Sequence, residues 1–187
     1  MRNSLRCRTA AALVALLAAV PLAAQGTRLD PGREQSQAGI MMMRDSLVPA
    51  LGAVAQLQRD YQKAQPATLE GYARQVTATC AAAERTWPAA RTLVADAALT
   101  TVDQQRAQGE MVASFDRLKP ALIECQRTFE PLGQPGKGEE VRGYGNRRAE
   151  PVRRKLEGFN RSLTPFIRSL KLDARTVLHM PPSPYAP

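Results

Sequence analysis

The sequence predicts an all-α protein: an up-and-down four-helix bundle with proline kinks and one disulfide between helices two and three. Three observations predict it. Apolar residues recur at helical spacing in four successive segments, no segment alternates polar and apolar residues as a strand would, and Cys80 and Cys125 fall in the second and third segments.

The third segment carries the clearest stripe. Met111, Phe115, Leu118, Leu122, Cys125 and Phe129 advance by alternating steps of four and three, which places them on one face of a helix. The fourth repeats the pattern with Val152, Leu156, Phe159, Leu163, Phe166 and Leu170. The first, about residues 34 to 64, offers Ile40, Met43, Leu47, Leu51, Val54, Leu57 and Tyr61, and the second, about 66 to 97, offers Leu69, Tyr72, Val76, Cys80, Ala83 and Trp87. Between them lie Gln65-Pro66, Ala98 to Thr100, and a long loop expected from Gly133 to Gly145. Thr100, with Asp103 in the following turn, is expected to cap the third helix. Short connections make neighbours antiparallel.

The cysteines place a constraint on this arrangement. With about 1.5 Å of rise per residue, Cys80 and Cys125 stand roughly 29 and 38 Å from a turn near residue 99. Bridged cysteines hold their α-carbons about 4.4–6.8 Å apart. A few extended residues at Thr86-Trp87-Pro88-Ala89 would bring the two level, so a break or kink is expected there. A disulfide is expected because an exported chain oxidises an even number of cysteines. Two buried free thiols are the alternative.

Export is read from the first residues. Arg2, Arg6 and Arg8 precede an apolar run from Ala10 to Val20, and Pro21-Leu22-Ala23-Ala24 follows, which is the order of a secretory signal. Cleavage is expected after Ala24, with an uncleaved anchor as the alternative. The run falls short of the about 20 residues that cross a bilayer, and no transmembrane span is expected once the signal is removed. The chain is thus divided into a signal peptide (1–24), a flexible leader (25–33), one helical domain (34–175) and a proline-rich tail (176–187). Its expected location is periplasmic or secreted.

Charge is unevenly spread. Residues 25 to 135 hold twelve basic and twelve acidic side chains, whereas residues 136 to 175 hold eleven basic and five acidic. Arg147, Arg148, Arg153, Arg154 and Lys155 fall mostly off the apolar stripe and are the candidate contacts for an anionic partner. A cationic face attracts polyanions, here an anionic envelope surface or an acidic protein partner. Export makes nucleic acid an unsuitable target. An ordinary solvated face, with Glu139, Glu140, Glu150 and Glu157 as counterions, is the competing explanation.

Proline recurs at Pro49, Pro120 and Pro165 in similar apolar surroundings. Kinked helices would splay and leave a ligand cavity near Trp87, Phe115 and Phe159, of at least about 300 Å³. Alternatively, the prolines mark first turns or bend the helices around a filled core.

The chemistry-bearing motifs are missing from the sequence. It contains no Cys-x-x-Cys-His for covalent haem, and its single histidine, His179, excludes paired Glu-x-x-His ligands for a di-metal centre. It has no Gly-x-Ser-x-Gly, no His-Glu-x-x-His and no phosphate loop. Met41-Met42-Met43 point in different directions on a helix and form no single metal site. No catalytic residue, metal site or cofactor is expected. The function expected is that of an exported, non-enzymatic accessory or interaction protein working through a basic fourth helix, with a carrier of a small apolar ligand as the alternative.

Overall fold

Asp30 opens the first helix by accepting a hydrogen bond from the Arg33 amide at 3.0 Å, and Pro31 follows in the first turn, where its missing N–H is no loss. The computed structural model describes residues 29–178. The expected signal peptide, the leader up to residue 28 and the tail from His179 onward lie outside the described residues. The described residues form five α-helices: α1 (Pro31–Asp60), α2 (Pro66–Ala95), α3 (Val102–Phe129), α4 (Gly138–Ser169) and the short α5 (Ala174–Leu178). A single 3₁₀ turn, Pro131–Gly133, precedes α4, and no strand occurs among the described residues.

All six stripe positions of the third segment, and all six of the fourth, are buried. They meet Ile40, Met43, Leu47, Val54 and Leu57 of α1 and Leu69, Val76, Cys80 and Ala83 of α2 in one hydrophobic cluster. Each long helix packs on the next, and α4 returns to pack on α1 and α2 as well. Side-chain bonds tie α4 and the residues just after it to both ends of α1. Arg33 donates to the Leu170 and Lys171 carbonyls at 2.6 and 2.8 Å, while Gln58 donates to Glu150 at 3.0 Å. By length and composition α1 is apolar enough to cross a membrane, but Ile40, Met43, Leu47, Val54 and Leu57 of its stripe are buried against the other helices, with Leu51 and Tyr61 partly buried.

Cys80 and Cys125 form the disulfide, with α-carbons 6.3 Å apart. The expected break at Thr86 to Ala89 is absent, and α2 runs unbroken through Pro88. The register is met elsewhere. Cys80 lies fifteen residues before the end of α2 and Cys125 twenty-three residues after the start of α3, about 22 and 34 Å along the two axes. Residues 96–101 climb beyond the end of α2 and supply the difference, with Ala97 and Leu99 buried on the way. Gln108 secures this ascent, since its side-chain amide donates to the carbonyls of Val94, Ala95 and Ala97 at 2.8, 3.1 and 2.8 Å.

The prolines inside helices, Pro49, Pro88, Pro120, Pro151 and Pro165, are all exposed. On the solvent side the carbonyl that each proline leaves unbonded is open to water, which offsets the lost bond and lets the helix continue. The cap of α3 is Thr101, one residue later than expected, and it forms a capping box with Gln104.

The loop expected from Gly133 to Gly145 is mostly helix. α4 begins at Gly138 because Glu70 of α2 accepts from the Gly136 and Gly138 amides at 2.9 and 3.0 Å, capping α4 from outside its own segment. Gly138 sits so close to α2 that a Cβ would lie 2.3 Å from the Pro66 carbonyl oxygen. The start of the expected tail is also ordered. Asp173 accepts from the Arg175 amide and the Thr176 hydroxyl, Val177 is buried, and Arg44 donates to the Thr176 and Val177 carbonyls.

Candidate anion-binding face

The positive excess belongs to α4. Its sequence holds eight basic and four acidic side chains, whereas α1 holds three of each, α2 three and two, and α3 four of each. Burial of its apolar stripe turns most of these cations outward, but helical spacing also brings carboxylates within reach of several.

Arg153 is largely neutralised. It donates to both oxygens of Glu150 at 2.8 and 3.0 Å and to Glu157 at 2.6 Å. Arg154 also donates to Glu150, at 2.7 Å, and Lys155 donates to Glu124 of α3. Bonds from Gln58, then Arg153 and Arg154, hold the Glu150 carboxyl down to about 2. Arg147 and Arg148 have no acidic partner among the described residues, and both guanidinium groups lie over the Tyr144 ring, 5.0 and 5.3 Å from its centroid. The five cations singled out from the sequence are therefore unequal.

Four shallow grooves share lining residues end to end along α4, three of them on the α3–α4 seam and the second lined by α4 alone. The first, about 360 Å³, is bordered by Glu124, Arg147 and Arg148. Arg147 and Pro151 carry it into the second, which Arg154 and Lys155 join to the third. That third groove, about 260 Å³, adds Arg117 and Arg161, and Arg117 links it to the fourth beside Ser162, Pro165 and Phe166. From Arg147 to Pro165 the track runs about 27 Å along α4. Neither Arg117 nor Arg161 has an acidic partner among the described residues. Asp116, the sequence neighbour of Arg117, pairs with Arg91 of α2 at 2.7 Å, and that bond lowers its pKa.

The aromatic residues proposed to line a cavity are brought together in direct contact. Phe115 and Phe159 are buried edge to face, 4.9 Å between centroids, and the Trp87 indole donates to the Phe115 carbonyl at 2.7 Å. Lys119 lies over the outer face of Trp87 at 4.9 Å. Of the three, only Phe159 borders one of these seam grooves, the third. Ser114 and Ser162 meet across the seam at 2.7 Å and form its floor.

Missing from the sequence-based set was Arg117, which belongs to a different helix and lies beside an aspartate in sequence. Arg161 was visible in the basic run but not distinguishable from its neighbours. The signal for both is position: Arg117 immediately precedes Leu118 and Arg161 follows Phe159 by two, so each flanks a stripe at the same level of the seam.

Fold and face together define an all-helical, disulfide-tied protein with a basic seam between its third and fourth long helices. Comparison with models of known protein families, with curated protein sequences and with solved structures finds no match.

Proposed function

We propose that this is an exported, non-enzymatic accessory protein of the bacterial envelope, an up-and-down four-helix bundle that docks its basic α3–α4 seam on anionic lipid headgroups. The observation that carries the reading is the run of cations along one seam, in which Arg117, Arg147, Arg148 and Arg161 have no carboxylate partner among the described residues. Export is supported by the signal-like first residues and by the Cys80–Cys125 disulfide, a bond of oxidising compartments. The antiparallel reading draws support from two bonds of α1: Arg33 at its start reaches the carbonyls at the end of α4, and Gln58 near its end reaches Glu150 in the first half of α4.

A lipid surface fits this face better than an acidic protein does. Stable protein interfaces have an apolar core inside a polar rim. Tyr144 is the one exposed large apolar side chain on α3 or α4 inside the seam's reach, and an aromatic ring beside two arginines suits the headgroup level of a membrane. A carrier role draws less support, because Trp87, Phe115 and Phe159 occupy the space between them with their own contacts.

Sedimentation of the processed protein with phosphatidylcholine vesicles, with and without phosphatidylglycerol, tests the proposal. Binding only to the anionic vesicles, weakened by salt and abolished when Arg117, Arg147, Arg148 and Arg161 are changed to Glu, is the expected result. Equal binding to both vesicles, or none to either, would overturn it. Salt-sensitive retention on immobilised polyglutamate without vesicle binding would overturn it in favour of an acidic protein partner.

A further inference from the structure

We propose that the third groove, between Arg117 of α3 and Arg154, Lys155 and Arg161 of α4, is a binding site for a single phosphomonoester group. The proposal rests on the docking reading and names the group that the seam selects. Among the seam grooves it alone has no carboxylate in its wall: Glu110 borders the fourth, Glu150 the second and Glu124 the first. Four cations thus face one opening.

The opening suits a group rather than a whole molecule. Its volume of about 260 Å³ lies below the about 300–1,000 Å³ of pockets that enclose drug-sized ligands. The remainder of the ligand would stay outside, as it does when a headgroup is gripped at a surface. Leu118 and Phe159 supply an apolar back wall, which lowers the local dielectric and strengthens any ion pair formed against it.

The donor set selects among anions. Arg117 and Arg161 have no acidic partner to give up, and each guanidinium offers two parallel N–H bonds. Arg154 and Lys155 are tied to Glu150 and Glu124, yet each retains further N–H donors. A phosphomonoester presents three terminal oxygens and up to two negative charges. A phosphodiester or carboxylate presents two oxygens and one charge, and leaves part of this donor set unused.

Gly158 gives the site a steric test independent of charge. It lines the groove, and a Cβ there would meet only the Arg161 Nη2 atom, at 3.8 Å. The first carbon of a larger side chain would therefore enter the groove without striking the fold, and replacing glycine within a helix favours helix formation.

The experiment measures the processed protein, and its Gly158→Leu and Arg117→Gln/Arg161→Gln variants, on vesicles of phosphatidic acid or phosphatidylglycerol adjusted to equal surface charge. Inorganic phosphate is titrated separately, followed by the amide shifts of α4. Wild type is expected to prefer the phosphatidic acid vesicles by about tenfold. Gly158→Leu should lose that preference while still binding phosphatidylglycerol. Saturable inorganic phosphate binding, lost in both variants but without a vesicle preference, would support the site and assign it to a soluble phosphate. Equal binding to the two vesicles with no phosphate binding would overturn the site and leave docking intact, as would a Gly158→Leu protein with undiminished preference. Absence of binding to every anionic vesicle would overturn the docking reading itself.

Discussion

Arg153 donates to both carboxylate oxygens of Glu150, and that pairing decides which cations of α4 are available to a partner. Glu150 also holds Arg154, so one carboxylate restrains two arginines of the basic run. Glu150→Gln should release Arg154, while Arg153 keeps its bond to Glu157, and tighten binding to anionic vesicles about fivefold, since a basic residue at such a surface contributes about 1 kcal/mol. The sign of the pH effect follows from the same contacts. The Glu150 pKa is depressed in the folded protein from the usual 4.5 to about 2. Its contribution to stability is therefore present above pH 4.5 and is lost as the pH falls towards 2. Urea unfolding of wild type and Glu150→Gln across that window checks it: the difference between them should shrink as the pH falls, and a constant difference would contradict the assignment.

The disulfide closes a segment with a sequence separation of 45. Loop-closure entropy for that length gives about 4 kcal/mol of stabilisation. A Cys80→Ala/Cys125→Ala variant should unfold at a correspondingly lower urea concentration. Reductant should leave the native wild-type protein unaffected under mild conditions, because both cysteines are fully buried.

Gln108 is expected to be a stability residue with no part in binding. Its amide serves the last carbonyls of α2 and the buried Ala97 in the connection that follows. Gln108→Ala should cost about 1–2 kcal/mol in urea unfolding, with vesicle binding unchanged.

Two glycines of α4 should behave in opposite ways. Gly138→Ala forces a methyl group against the Pro66 backbone and should destabilise by about 2–3 kcal/mol. Gly143 is exposed with nothing within 4 Å of an added Cβ, so Gly143→Ala should stabilise by about 0.5–1 kcal/mol. Thermal melts of the pair separate the contact at Pro66 from helix propensity.

The four long helices were legible because their apolar steps of three and four continue straight through the prolines. Val152 through Leu170 and Met111 through Phe129 are buried as the spacing requires. The beginning of α4 was not legible, for its glycines suggested a loop. The residue that starts the helix, Glu70, acts from sixty-eight positions away in sequence. Pro88 misled for a related reason: the height between Cys80 and Cys125 is made up by residues 96–101, held by Gln108, and no local signal near Pro88 reports that. The basic run was visible as composition. Its division into neutralised and available cations was not, because Lys155 finds Glu124 on another helix and Arg117 loses Asp116 to Arg91.

The central claim is that anion docking depends on the seam and not on net charge. Vesicle affinity should therefore be compared between Arg147→Gln/Arg161→Gln and Arg59→Gln/Arg85→Gln, two variants with the same loss of charge, the second on the exposed surfaces of α1 and α2. The seam variant should bind phosphatidylglycerol vesicles about thirtyfold more weakly than wild type, from about 1 kcal/mol per arginine, while the control stays within about twofold, since exposed charges beyond a Debye length are screened. Equal weakening of the two variants would contradict the account.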